Sequence, residues 1–326
     1  MPRALITGIT GQDGGYLAEQ LVAEGTEVHG LIRAGDEATG DLLSRVPQVV
    51  VHRGDLGDTE RIGRLVAEVR PDEIYNLAGI SSVAYSWQEP VLTAQLSGVA
   101  AAVLLEAAQK LQDSSGHRVA FLQPSSAEIF GHAAVAPQNE STPVCPVSPY
   151  GAAKAYAHHI AGVYRGRGMH VATCILFNHE SPRRPPSFVT RKITVAAARI
   201  SRDGSGVMRL GNLDVARDWG WAPDYVDAMV RTLRYEIPGD YVLATGRTHT
   251  VANFAEAALR RVGLGENWRE CIEVDPALLR PAEAPVLVGD ASKARRDLGW
   301  EPTVSFEELV GLMVDHDIEL LQRSRQ

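Results

Sequence analysis

The sequence predicts an α/β chain: a doubly wound parallel sheet covered by helices on both faces, with a smaller mixed lobe built from the C-terminal part. Three observations carry that expectation. Short apolar runs alternate with helical patterns through the first 177 residues, as strand–helix units of a parallel sheet require. Three glycines, Gly8, Gly11 and Gly14, follow the first apolar run and lead into the first turn of the first helical pattern. The alternation then breaks in Pro- and Arg-rich text at 181–191.

The elements follow in order. Ala4 to Thr7 reads as a strand, Gln12 to Glu24 as a helix, Glu27 to Ile32 and Val49 to His52 as strands. Asp58 to Val69 is helical, Glu73 to Ala78 a strand, and Val91 to Leu111 a long helix. Val119 to Gln123 is a strand, Pro149 to Arg167 a helix and His170 to Phe177 a strand. Asp224 to Glu236 (helix) and Tyr241 to Ala244 (strand) are expected to rejoin the sheet, while Val251 to Val262 and Ser305 to Gln322 are further helices. The expected division is a nucleotide-binding body of 1–177, to which 212–245 returns, and a lobe of 178–211 with 246–326. No linker, low-complexity segment or repeat interrupts it.

At 326 residues the chain buries a core without staples. Its net charge of −8 excludes a broad basic surface and with it extended nucleic acid. Cys145, Cys174 and Cys271 are odd in number and far apart, so they read as small buried thiols rather than disulfides or metal ligands. His158 and His159 lack ligand-spaced partners, and no metal site is expected. No charged leader opens the sequence, and no unbroken apolar run has the roughly 18 residues of a membrane span. A reducing cytoplasm and no membrane partner are the expectation.

Residues 7–14 read Thr-Gly-Ile-Thr-Gly-Gln-Asp-Gly. Gly8, Gly11 and Gly14 permit a tight turn and close approach of backbone to a pyrophosphate, with a helix N-terminus supplying N–H donors. The residue ending the second strand, which faces the ribose, is Arg33 rather than an acid. A cation there suits a 2′-phosphate and hence NADP, with Asp36 and Glu37 close by. Asp55, after the third strand, either accepts from the adenine amine or caps the next helix.

Tyr150 and Lys154 lie four apart at the start of a helix, on one face. An ammonium beside a phenol favours the phenolate, so Tyr150 reads as a base. The preceding strand ends in Ser125, Ser126, Ala127, Glu128, at the sheet edge where ligands bind. Ser126 is placed to hydrogen-bond the hydroxyl or ketone on which Tyr150 acts. Glu128 is a carboxylate that simple hydride transfer does not need, and it reads equally as a functional acid or as a helix cap or structural ion pair. Arg183, Arg184, Arg191, Lys192, Arg217 and Arg280 form a local positive cluster, fit for a diphosphate because guanidinium groups match phosphate bidentately.

On these residues the chain resembles the GDP-mannose 4,6-dehydratases, within the extended short-chain dehydrogenase/reductases, over nearly its whole length. The stretches that carry the likeness run from ALITGITGQDG to LGWEPTVSFEELV. They include FNHESPRR and FVTRKI (from Phe177), GNLDVARDWGWAPDYV (from Gly211) and LRPAE (from Leu279). The resemblance implies a Rossmann-type body, bound NADP, a GDP-sugar substrate and a homodimer or homotetramer. It implies Ser126, Glu128, Tyr150 and Lys154 as the catalytic set, Ser126 standing where the family usually has Thr. It assigns cofactor contacts to Leu56, Leu77, Ala78 and Arg183 beside Asp55, Tyr150 and Lys154. Substrate contacts fall to Ser81, Asn178, Arg184, Lys192, Arg217, Arg280 and Glu283. Ala34 replaces the family's second Arg in a shortened loop, Pro185 and Pro186 replace Gly-Glu, and Ile80 and Ser82 replace Gln and His. The short loop and SSVAYSW (from Ser81) are closer to the GDP-4-keto-6-deoxymannose reductases. A reductase or epimerase on the same scaffold is therefore the alternative, and a non-catalytic NADP-binding protein a third reading.

Overall fold

The computed structural model describes residues 1–279 and 286–323. Its centre is a seven-stranded, all-parallel sheet. In chain order the first six strands are β1 (Arg3–Thr7), β2 (Glu27–Ile32), β3 (Val50–Arg53), β4 (Glu73–Asn76), β5 (Ala120–Ser126) and β6 (His170–Leu176). The seventh, Asp240–Leu243, pairs with β6 and closes the order 240–243, β6, β5, β4, β1, β2, β3. The chain winds outward from β1 to β3, then jumps back to β4 and winds the other way. Ligands bind where such an order reverses, at the C-terminal ends of β1 and β4.

Two apolar layers flank the sheet, as a parallel sheet needs. One packs α1 (Gln12–Ala23) and the helix Ala222–Arg234 around Ile6, Leu17, Tyr75, Tyr225 and Trp300. The other packs the helices Thr59–Val69 and Ala100–Ser115 around Leu65, Leu104 and Phe121. A separate core forms outside the sheet, where Ile193, Trp219, Phe254, Leu309 and Met313 bring together the helices Val189–Asp203, Val251–Arg261 and Phe306–Arg323.

The helix Val189–Asp203 is the main element missed by the sequence reading. The Pro-rich text before it hides its start, since no side chain caps it at Phe188. Arg191, read as part of the anion cluster, is instead buried in this lobe. Its guanidinium donates to Asp317 at 2.5 Å and to the Pro182 carbonyl at 3.0 Å, so it is spent on structure.

The long helix after β4 also differs. Pro90–Ala94, a π turn at Gln95–Val99 and Ala100–Ser115 run on continuously. By length and composition Pro90–Ser115 could cross a membrane, but it packs against Thr59–Val69 and the Tyr150 helix (Pro149–Gly166), and 44% of its most apolar window is buried. Of the cysteines only Cys174 is buried; Cys145 is exposed and Cys271 partly so. At Cys145 the backbone is what packs: its N–H donates to the Ile129 carbonyl at 2.8 Å, and its own carbonyl faces Gly131.

Candidate active site

Backbone closeness builds the floor of the site. Gly8 has φ +68°, and a Cβ there would lie 2.8 Å from Cα of Ala78. A Cβ on Gly14 would lie 2.3 Å from the Gly8 carbonyl oxygen, and one on Gly11 3.2 Å from the same atom. All three positions are too tight for a larger residue without movement. The loop after β4 closes over Gly8: the Ala78 N–H donates to Oγ1 of Thr7 (3.0 Å), which donates to Oδ1 of Asn76 (3.0 Å). Asn76 donates onward to Gln123 (2.9 Å). A buried polar ladder thus ties the ends of β1, β4 and β5 together.

This cradle fits a dinucleotide pyrophosphate. Helix α1 begins at its rim, and Arg183 adds a cation stacked 3.8 Å over the Tyr16 ring. Arg183 also pairs with Glu19 at 2.9 Å. Its Nη1 is buried without a partner and points at Gly15, 3.4 Å from where a Cβ would be. An orphaned guanidinium N–H beside a helix N-terminus suits an anionic oxygen.

Arg33 is exposed just beyond β2, while Asp36 accepts from the Thr10 hydroxyl on the glycine loop at 2.7 Å. Asp55 does not cap the helix Thr59–Val69; Asp58 does, accepting from the Arg61 N–H at 2.9 Å. Asp55 instead turns onto the Gly57 N–H (2.7 Å), with Leu56 buried beside it.

The catalytic candidates converge at the ends of β5 and the Tyr150 helix. Ser148 caps that helix by accepting from the Gly151 N–H (3.0 Å), and Ser86 accepts from the Tyr150 N–H (3.2 Å). Gly151 is the close-approach residue here: a Cβ would stand 2.6 Å from the Glu128 carbonyl oxygen. Tyr150 is hydrogen-bonded to Ser126, whose hydroxyl also accepts from the Glu128 N–H at 3.2 Å. Lys154 donates to the Pro124 carbonyl (3.0 Å), with its Nζ 6.0 Å from the Tyr150 ring centroid.

The electrostatics of these buried groups run against the simple sequence expectation. Burial pushes the Tyr150 phenol up to about 12; the Ser126 hydrogen bond and the Arg184 charge pull it down, and Glu128 and Asp13 push it up. Burial likewise drives Lys154 down to about 8, with the Asp13 charge acting in the other direction. Lys154 therefore does not by itself lower Tyr150. Desolvation wins in the pocket lined by protein alone, and further positive charge is required to favour the phenolate. The Glu128 carboxylate is half-buried and has no hydrogen bond or ion pair among the described residues.

The remaining candidates spread around this centre. Asn178 opens the short strand Asn178–Glu180, paired with Trp219–Trp221. Arg184 stacks 3.8 Å over Phe188 and pairs with buried Glu180 at 3.2 Å. Lys192 is exposed in the first turns of its helix, and Ser81 is exposed after β4. Arg217 is buried in a strand between His249–Thr250 and Val286–Leu287. Arg280 and Glu283 lie outside the described residues.

Other residues of the centre were not singled out by sequence. Half-buried Asp13 and buried His179 form a pair at 2.9 Å. Ser97 in the π turn holds Ile80 through both its N–H (2.9 Å) and its carbonyl (3.0 Å). Gly151 alone carried a visible signal, as a glycine directly after the tyrosine on a catalytic helix.

Comparison with known proteins identifies the family. The family described as GDP-mannose 4,6 dehydratase matches residues 5–313. GDP-mannose 4,6 dehydratase 1 of Arabidopsis thaliana is 45% identical over 332 residues, covering 99% of this chain and 91% of its own. GDP-mannose 4,6-dehydratase of Sinorhizobium fredii is 43% identical, covering 99% and 98%. Among solved structures, UDP-glucose 4-epimerase of Thermus thermophilus in complex with NAD is 28% identical with a TM-score of 0.81, covering 97% and 98%. A match across nearly the whole chain, with relatives above 40% identity over nine-tenths or more of their own lengths, places this chain in the GDP-mannose 4,6 dehydratase family.

Proposed function

We propose that the protein removes water from GDP-mannose, or a close GDP-sugar, to give the GDP-4-keto-6-deoxy sugar. The observation that carries this reading is Glu128, a carboxylate without a hydrogen-bond or ion-pair partner among the described residues, beside the buried Tyr150–Ser126 pair. Oxidation and reduction alone leave such a group idle.

The cradle of Gly8, Gly11, Gly14, Ala78 and Arg183 holds NADP, with Arg33 toward the 2′-phosphate. When bound, the cofactor supplies a hydride acceptor that returns the same hydride, so the cycle is redox-neutral. Tyr150 takes the proton of the C4 hydroxyl while Ser126 and Lys154 stabilise charge on that oxygen. The resulting 4-ketone acidifies the C5 proton. Glu128 takes that proton and delivers one to the C6 hydroxyl as it leaves as water. The hydride removed from C4 is regained at C6, and the proton held at Tyr150 goes to C5, which restores Tyr150 and balances the cycle. Asn178, Arg184, Lys192, Arg217, Arg280 and Glu283 hold the nucleotide, with Ser81 toward the sugar.

In this reading 1–177 with 212–245 is the cofactor body, and 178–211 with 246–326 is the substrate lobe. The enzyme is cytoplasmic and a homo-oligomer. Exposed Val99, Tyr156 and Val163, on helices that pack side by side, support self-association, which light scattering measures.

Incubation with GDP-mannose and mass spectrometry tests the activity, with a product lighter by one water expected. Glu128→Gln should keep C4 oxidation and lose dehydration by about 100-fold or more. Consumption of added NADPH by a 4-keto sugar without dehydration would establish a reductase instead.

A further inference from the structure

We propose that Asp13 and His179 are a positioning pair for hydride transfer, an ion pair that fixes the cofactor-binding turn of α1 against the strand carrying Asn178. The inference rests on the dehydratase reading above.

The geometry defines the charge state. The His179 Nδ1 lies 2.8 Å from the Phe177 carbonyl oxygen, and Nε2 lies 2.9 Å from Oδ2 of Asp13. Both partners accept, so both ring nitrogens donate and the ring is an imidazolium. Its face stacks on Tyr225 at 4.7 Å, as a cation on an aromatic ring does. Asp13 accepts in addition from Gln12 Nε2 (3.1 Å). That same amide donates to the His179 carbonyl at 3.1 Å, and the Ser181 hydroxyl donates to Oε1 of Gln12 at 2.9 Å. The first turn of α1 is therefore stitched to residues 179–181 at three points.

Burial alone would neutralise both groups. It pushes the Asp13 carboxyl up, but the His179 charge and hydrogen bonds leave it below the ordinary aspartate range. Burial pushes His179 down, and Asp13 more than restores it. Arg184 also faces both members, and the Asp13 charge reaches Lys154 and Tyr150. A buried ion pair adds little stability over an apolar pair of the same volume. Its placement points to function: one member lies on the helix that meets the cofactor phosphates, the other directly follows Asn178. Hydride transfer demands that the two ligands be held within fractions of an ångström.

The test uses Asp13→Asn, His179→Gln and the double variant. In cofactor-free wild type, ring-nitrogen NMR should show His179 doubly protonated at neutral pH, and Asp13→Asn should lower its titration. On GDP-mannose, each single variant should lose about 10- to 100-fold in kcat with KM changed less than threefold. The isotope effect with C4-deuterated substrate should increase. The double variant should be no slower than the slower single, because the two residues act as a unit. A neutral His179 in the wild type overturns the proposal. So do additive losses, or an unchanged kcat and isotope effect in variants with lowered melting temperature, which would mark the pair as structural. No 4-keto product from the wild type would overturn the dehydratase reading and the positioning role together. Full turnover in the variants beside an active wild type would overturn the positioning role only.

Discussion

Gly151→Ala is the smallest change that separates the two halves of the proposed catalytic centre. The new Cβ would meet the Glu128 carbonyl oxygen at 2.6 Å, the Glu128 carbonyl carbon at 3.3 Å and Cβ of Pro146 at 3.0 Å. Two of these atoms are backbone, so no side chain can swing away. Ordinary carbon–oxygen contact needs about 0.6–0.8 Å more than the helix and the Glu128 turn now leave. Overpacking of this kind costs about 1–3 kcal/mol of stability. A displacement of that size between Tyr150 and Glu128 should slow chemistry by about 10- to 100-fold. Gly162 on the same helix is the internal control, since a Cβ there meets nothing within 4 Å; Gly162→Ala should be neutral or slightly stabilising. Single-turnover kinetics should show C4 oxidation through nicotinamide absorbance and dehydration through quenched product. Gly151→Ala should slow both, and dehydration more, because Glu128 takes the displacement directly. Wild-type rates in Gly151→Ala would refute the argument that this contact sets the separation of Tyr150 and Glu128.

Gly14→Ala should abolish cofactor retention through gel filtration, because its Cβ would press on the Gly8 carbonyl at 2.3 Å, inside the cradle. Arg33→Ala should weaken NADP about 10- to 100-fold, as the loss of a charge-assisted phosphate contact does, and leave NAD unchanged in titrations. Lys154 gives a pH signature in cofactor-free protein. Its folded value of about 8 lies below the usual 10.5, so the unfolded chain binds the extra proton between them. Stability from this group should accordingly rise from pH about 8 to about 10.5, and denaturant titrations of Lys154→Met should lack that rise. Arg191→Met should destabilise by about 3–5 kcal/mol in the same titrations, since it leaves Asp317 buried without its cation.

The parts legible in the sequence are those set by local pattern. Apolar runs and turn residues located the six strands from Arg3 to Leu176 to within a few residues, because each is short and bounded by turns and all but the edge strand β3 are largely buried. Ser126, Glu128, Tyr150 and Lys154 were legible for a related reason. They lie just beyond a recognisable strand and on the first turns of a recognisable helix, and a parallel sheet brings those points to one edge. What pattern cannot carry is the balance of desolvation against charge. Four-residue spacing aligns Lys154 with Tyr150, yet burial, a property of the whole packed pocket, decides their protonation. Arg191 and Lys192 are adjacent in sequence, but the helix turns one into the lobe onto Asp317 and the other outward.

The net charge of −8 shows the same limit from the other side. It excludes a basic surface while saying nothing about where single charges are held. Inside the site the fold does not gather cations alone. It interleaves Asp13 with His179, Glu180 with Arg184 and Glu19 with Arg183, at 2.9, 3.2 and 2.9 Å. Each pair holds a cation that isolation in a dry pocket would cost several kcal/mol. The acidic residues near the anion sites are thus what lets a small number of guanidinium and imidazolium groups remain charged and fixed there. The Arg183 pair leaves a donor uncommitted beside a proposed ligand, Nη1 at the cofactor cradle, while the Arg184 charge reaches Tyr150. An acidic protein can hold two anionic ligands because its carboxylates orient the cations that meet them.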